Sequence, residues 1–245
     1  MNLWEPGAFD WALSTYWDYY VELENELLET RRYVAFSESN FNTYSIEMLK
    51  LLEAVCSEVD VLLKVLAVIA DSSFDTSASL GIHKSWYAIQ DQYRYSLELN
   101  DITFDGYPRI TSSLMDATCR IGDTLAFKPW ANYAVEQRTD RRGRLYYRLK
   151  SGMSTPKWWS DYNKVKHGRA VLPSVEQSGN YSRANLGNVL SAFAGLHVLE
   201  KALLRRIGSR DDHEGFIDDS VLFTGRNRAL TSRDIDNIVR SARKR

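Results

Sequence analysis

Seven apolar residues, Met48, Leu52, Val55, Val59, Leu62, Leu66 and Ile69, recur at three- and four-residue steps between a capping Ser45 or Thr43 and Ala70. That spacing puts them on one face of a long helix. So long an apolar stripe must be covered by other elements, which directs the chain toward a helical bundle.

The partners are legible by the same periodicity. Phe9, Leu13, Tyr16, Tyr20, Leu23 and Leu27 predict a helix from about Phe9 to Val34, with Glu22, Glu24, Glu26 and Glu29 on its other faces and Arg31 and Arg32 in its last turn. A polar linker, Ser37 to Thr43, follows, and the first two helices are expected to pack as an antiparallel pair. Trp86, Ile89, Tyr93 and Leu97 predict a third helix over Ile82 to Leu99. Ser154-Thr155-Pro156 announces another that ends near Gly168, because proline is well placed in a first helical turn. Leu186, Val189, Leu190, Phe193, Leu196 and Leu203 mark a last long helix from about Ala184 to Arg206.

Between these helices, Ile102-Thr-Phe-Asp-Gly-Tyr-Pro reads as a short strand and turn. Two Tyr/Val/Leu-rich runs, between Tyr133 and Lys150, flank a basic tip containing Arg138, Arg141, Arg142 and Arg144, the pattern of a β-hairpin. The tip is either a solvated loop or a phosphate-contacting finger. After Gly208 come an acidic patch, the apolar run Val221-Leu-Phe, and a basic end with a terminal helix capped by Thr231. The expected organisation is a helical domain over residues 1–208, with the hairpin inserted at about 132–150, and a basic extension over 209–245.

Composition adds bounds. The 245 residues are 44% hydrophobic and 26% charged, as in an ordinary soluble globular protein. The net charge of −1 hides an asymmetry: residues 1–100 carry 6 Lys+Arg against 16 Asp+Glu, and residues 101–245 carry 25 against 16. Such a separation either neutralises itself within or between chains or attracts a polyanion. The most apolar segment, Val59 to Ala70, contains Asp60 and Lys64, and no basic-then-apolar leader opens the chain, so neither membrane spanning nor secretion is expected. Cys56 and Cys119 lack C-x-x-C spacing and read as reduced thiols of a cytoplasmic protein. No G-x-x-x-x-G-K-[ST], G-x-G-x-x-G or H-E-x-x-H occurs, so neither cofactor nor metal is called for.

The chemically specific segment is Trp158-Trp-Ser-Asp-Tyr-Asn-Lys-Val-Lys-His-Gly-Arg169. A helical projection sets Trp158, Tyr162 and Val165 on one face and Ser160, Asn163, Lys164 and His167 on roughly the opposite one. A histidine that exchanges a proton near neutral pH beside fixed cations suits phosphodiester chemistry. In that reading His167 is the acid/base, Asn163 holds its geometry, and Lys166 and Arg169 contact phosphate. Glu58 falls on the apolar face of Leu51, Val55, Leu62 and Val65 and therefore needs a partner, for which Arg32, Lys166 and Arg169 are candidates. It either ties helices together or supports His167. His197 reads as a hydrogen-bonded core or boundary residue, while His83 and His213 stand at a helix start and in an acidic loop.

Trp158-Trp159 followed by Tyr162-Asn163-x-x-Lys166-His167-x-Arg169 resembles the helix signature of HEPN-like proteins, in particular an uncharacterised bacterial branch. Arg32-Tyr-Val, Asn42-Thr-Tyr-Ser45, Ser57-Glu-Val-Asp60, Pro129-Trp130 and Ala184-Asn-Leu-Gly-Asn-Val-Leu190 complete the likeness, over most of residues 10–205. The resemblance implies a mainly α fold, a HEPN-like bundle of four to five helices with an inserted β-hairpin, often dimeric. For active members it implies metal-independent endoribonuclease activity in toxins and phage defence. Their pattern places an arginine five to seven residues before the histidine, where this chain has Tyr162, Asp161 and Ser160. The cation would have to come from Lys164, Lys166 or Arg169.

Three readings follow: an RNA-directed HEPN-like protein with or without ribonuclease activity; a silent helical module that homodimerises or binds a protein partner; and a nucleic-acid binder using the hairpin tip and basic tail.

Overall fold

The computed structural model describes residues 7–76, 81–91, 94–96, 111–122, 124–168, 179–208 and 220–223. Within them the chain is mainly helical. The first helix forms as α1 (Ala8–Ala12), a π-helical turn (Leu13–Trp17) and α2 (Asp18–Thr30). The helix expected to reach Val34 stops at Thr30, whose hydroxyl donates to the Leu27 carbonyl and begins a run of turns. Glu24 is not on an exposed face as expected; it lies in the buried stripe with Tyr20, Leu23 and Leu27.

Ser45 caps α3 (Ile46–Ala70), its hydroxyl accepting from the Met48 amide at 3.1 Å. At 25 residues the helix is about 37 Å long. All seven stripe residues are buried, but so are Leu49, Leu51, Cys56, Leu63 and Ala67. The wider stripe reflects more neighbours than the sequence implied: α3 packs most extensively on α6 (Leu186–Gly208), and also on α4 (Ile82–Ile89), α2 and α5 (Lys157–Gly168). In α6, every residue from Ala192 to Glu200 is buried, so this helix runs through the centre. The linker after α2 secures its start: Leu186 and Gly187 amides donate to the Thr43 and Phe41 carbonyls at 2.8 and 3.0 Å.

The helix expected over Ile82 to Leu99 ends at Ile89. The cause is tertiary: the buried Gln90 amide group pairs with the backbone of Val135, donating to its carbonyl at 2.8 Å and accepting from its N–H at 2.9 Å. The chain then joins an antiparallel pair, β1 (Arg94–Ser96) with β2 (Thr111–Ser113). A second pair joins β3 (Cys119–Ile121) to β4 (Leu125–Phe127). The expected hairpin is β5 (Val135–Thr139) with β6 (Leu145–Leu149), in register Gln137 to Tyr147, around a turn where Gly143 takes φ +77°. The segment around Ile102 and the helix expected from Thr231 lie outside the described residues.

An aromatic wall joins these parts. Trp86 stacks on Trp130 at 4.5 Å, Trp130 meets Trp158 edge-on at 5.2 Å, and Tyr133 lies 5.0 Å from Trp86. The Trp86, Trp130 and Trp158 indole N–H groups donate to the Tyr133, Gly195 and Pro129 carbonyls. Gly195 permits this contact, since a Cβ there would stand 2.9 Å from the Trp158 ring. At the far end, Leu222 is buried and the Ser220 hydroxyl and the Val221 and Leu222 amides donate to the Glu24 carboxylate, which also accepts from Tyr20. No helix among the described residues is long and apolar enough to cross a membrane.

Candidate functional site

Helix α5 anchors one face and presents the other. Trp158, Tyr162 and Val165 are buried as the helical projection requires, and Trp159 and Asp161 are buried beside them. Ser160, Asn163, Lys164 and His167 line a cleft of about 580 Å³, with Trp159, Thr155, Gly168, Asn180 and, from α4, Ile82 and His83 completing it. Its volume is in the roughly 300–1,000 Å³ range of ligand sites.

Asp161 fixes the helix in this orientation. Its carboxylate accepts from Lys157 Nζ, from Arg183 Nη1 at 2.7 Å and from Asn188 Nδ2 at 3.1 Å, with Lys164 Nζ at 3.7 Å. Burial alone pushes its carboxyl up, but the hydrogen bonds and charge of Lys157, with those from Asn188 and Arg183, outweigh it and hold Asp161 below the usual aspartate value. Arg183 Nε donates to Asn180 Oδ1 at 3.0 Å, and Asn180 Nδ2 donates to the Gly168 carbonyl at the end of α5 at 3.0 Å. One polar chain thus links the buried flank of α5 to the cleft wall. Arg183 itself, bound to Asp161, does not line the cleft.

His83 enters the cleft from the start of α4, with Nδ1 2.8 Å from the hydroxyl of Tyr133. Burial pushes His83 below the usual histidine value and pushes the Tyr133 phenol well above its own. His83 is therefore neutral at pH 7.

The other expected site residues are dispersed. Lys166 is exposed and lies 5.5 Å over the Tyr162 ring, away from the cleft lining. Arg169 lies outside the described residues, as does His213. Arg32 does not reach Glu58; it is exposed, 4.0 Å from Glu29. Glu58 makes no ion pair among the described residues; burial pushes its carboxyl up, and it acts electrostatically on Glu200 and Tyr16. Among the described residues the Glu200 oxygens have no hydrogen-bond partner, nor has His197 Nδ1, although His197 is buried in the core as expected. Desolvation, then Lys201, pushes His197 well below its usual value.

At the hairpin, Arg138 forks onto Glu136 at 2.9 and 3.0 Å, Arg148 reaches the same carboxylate at 2.8 Å, and Arg144 pairs with Asp140 at 2.8 Å. Only Arg141 and Arg142 of the four tip arginines make no ion pair among the described residues. No group of three His, Cys, Asp or Glu residues stands ready for a metal among the described residues.

Sequence reasoning missed Asp161, Arg183, Asn188 and His83. Asp161 was signalled by its place one turn after Trp158 on the apolar face; the other three had no local signal.

No protein-family model, curated protein or solved structure matches this chain.

Proposed function

We propose that this chain is a HEPN-like protein directed at RNA, cleaving the phosphodiester backbone without a divalent metal at the exposed face of α5, as a cytoplasmic homodimer of the toxin or phage-defence kind. The observation that carries the reading is the convergence of His167, Asn163, Lys164 and Ser160 on one cleft. His167 exchanges the proton, Asn163 one turn earlier orients it, and Lys164 supplies the cation against phosphorane charge. Lys164 takes the part expected of Lys166 because it lines the cleft.

The test is cleavage of mixed-sequence RNA in chelator by wild type and His167→Ala. Products ending in 2′,3′-cyclic phosphate, lost with the histidine, support the reading. Absence of cleavage and of low-salt RNA binding by folded wild type refutes it.

A second reading attaches to the hairpin, where Leu145 and Tyr146 are 61% and 43% exposed beside ion-paired arginines. Apolar exposure with neutralised cations suits a protein partner or a second copy of the chain better than phosphate. Sedimentation of wild type and Leu145→Asp tests the second copy: a dimer that the variant dissociates supports it.

A further inference from the structure

We propose that His83 is a second catalytic residue of the α5 cleft, the general base that takes the 2′-hydroxyl proton while His167 protonates the leaving oxygen. The inference rests on the RNA-cleavage reading above and adds a partner from another helix that no local pattern around His167 contains.

Three observations converge. His83 and His167 line the same cleft, one from the start of α4 and one from the last turn of α5. The His83 ring is held by Tyr133, which is wholly buried and set against Trp86 and Trp130, with its hydroxyl 2.8 Å from Nδ1. That contact occupies Nδ1, so the ring nitrogen assigned to proton transfer is Nε2. Finally, half-burial keeps the imidazole neutral at pH 7, the form that accepts a proton. Either group can donate in the His83–Tyr133 pair; the base uses the tautomer in which Nδ1–H donates to the phenol oxygen, which puts the lone pair on Nε2.

The step balances without a co-reactant. His83 Nε2 removes the 2′-hydroxyl proton, the 2′-oxygen bonds to the adjacent phosphorus, and the bond from phosphorus to the 5′-oxygen breaks. His167 delivers a proton to that oxygen. The products are a 2′,3′-cyclic phosphate and a 5′-hydroxyl, and Lys164 faces the charge that grows on the phosphoryl oxygens. Tyr133 is a positioning residue.

Two substrates separate the roles: ordinary RNA, and the same RNA with a 5′-bridging sulfur at the scissile bond, whose thiolate leaves without being protonated. His83→Ala should lose about 10²–10⁴-fold on both. His167→Ala should lose a similar factor on ordinary RNA and recover most of it on the sulfur substrate. His83→Asn keeps a group able to reach Tyr133 but has no Nε2, so its loss is catalytic even if His83→Ala fails to fold. Tyr133→Phe should lower kcat by a smaller factor and shift the ¹⁵N tautomer signature of His83. A His83→Asn enzyme within about threefold of wild type, or one rescued by sulfur, overturns the base assignment while leaving the RNA reading intact. A folded wild type that cleaves neither substrate removes the base assignment, and one that also binds no RNA at low salt removes the RNA reading with it.

Discussion

Replacing Asp161 with alanine tests whether one buried carboxylate holds the α5 face in place. The side chain is only 3% exposed, whereas those of Lys157, Lys164 and Arg183 are 77%, 50% and 39% exposed. Removing one member of a fully buried ion pair costs about 3–5 kcal/mol because a charge is stranded. Here the three cations can rehydrate, and Asn188 keeps its bond to the Arg183 carbonyl, so that figure is too high. What is lost is a set of charge-assisted hydrogen bonds worth about 1.5–3 kcal/mol each when buried. Screening of the exposed partners brings the total to about 2–3 kcal/mol. For a chain of this size that is a fall of about 4–12 °C in Tm.

Thermal melts of wild type, Asp161→Ala, Arg183→Gln and the double variant measure both the loss and the coupling. The acid limb gives an independent check. The folded carboxyl binds its proton less tightly than the unfolded one, whose usual value is 3.8. Its stabilisation is therefore present in full above that pH and disappears as pH falls through the lower folded value. The gap between wild type and variant should close only in strong acid. A loss below about 1 kcal/mol, additive single variants, or a gap that closes at neutral pH would refute the reasoning.

Glu200 behaves in the opposite sense. Burial, then Glu58, pushes its carboxyl well above 4.5, so the folded chain holds a proton that the unfolded chain releases, and stability falls as pH rises above that value. Glu200→Gln should gain about 1–3 kcal/mol over wild type by neutral pH, visible as a Tm difference that widens from pH 4 to 8; a constant difference would contradict it. Gly195→Ala brings a Cβ to 2.9 Å from Trp158. Its overpacking cost of about 1–3 kcal/mol exceeds the helix-propensity gain of about 1 kcal/mol, so a net loss near 1 kcal/mol with altered tryptophan fluorescence is expected, and a stabilised variant would deny the close contact. Arg138→Ala and Arg144→Ala, each removing an ion-paired cation, should leave the salt dependence of RNA binding unchanged, whereas a slope reduced by about one per arginine would show phosphate contact.

The apolar stripes of α3 and α6 were legible because helical periodicity is a local property, written every three or four residues. The end of α4 was not, because it depends on Gln90 pairing with Val135, a partner 45 positions away. Asp161 and Glu24 share one lesson. Each is an acidic residue on an apolar helix face, a place that demands partners, yet those partners come from distant segments: Asn188 lies 27 positions from Asp161, and Val221 lies 197 from Glu24. The presented face of α5 was legible from its projection; its second wall, with His83, was not, since only the fold brings the start of α4 to the same cleft.

The Glu24 contact also orders events in time. Ribosomal synthesis delivers the chain from the N-terminus, so α2 emerges with an ionisable group on its inward face long before Ser220, Val221 and Leu222 exist to receive it. Until then α2 must either stay loosely docked or keep Glu24 hydrated, and closing a loop of this span is slow relative to local helix formation. The bundle can therefore assemble around α3 and α6, with α4 and α5, while its first helix waits for nearly the last described residues of the chain. A polypeptide stalled or clipped before Ser220 would present a loosened α2 and an exposed apolar stripe, the kind of surface that chaperones and proteases recognise.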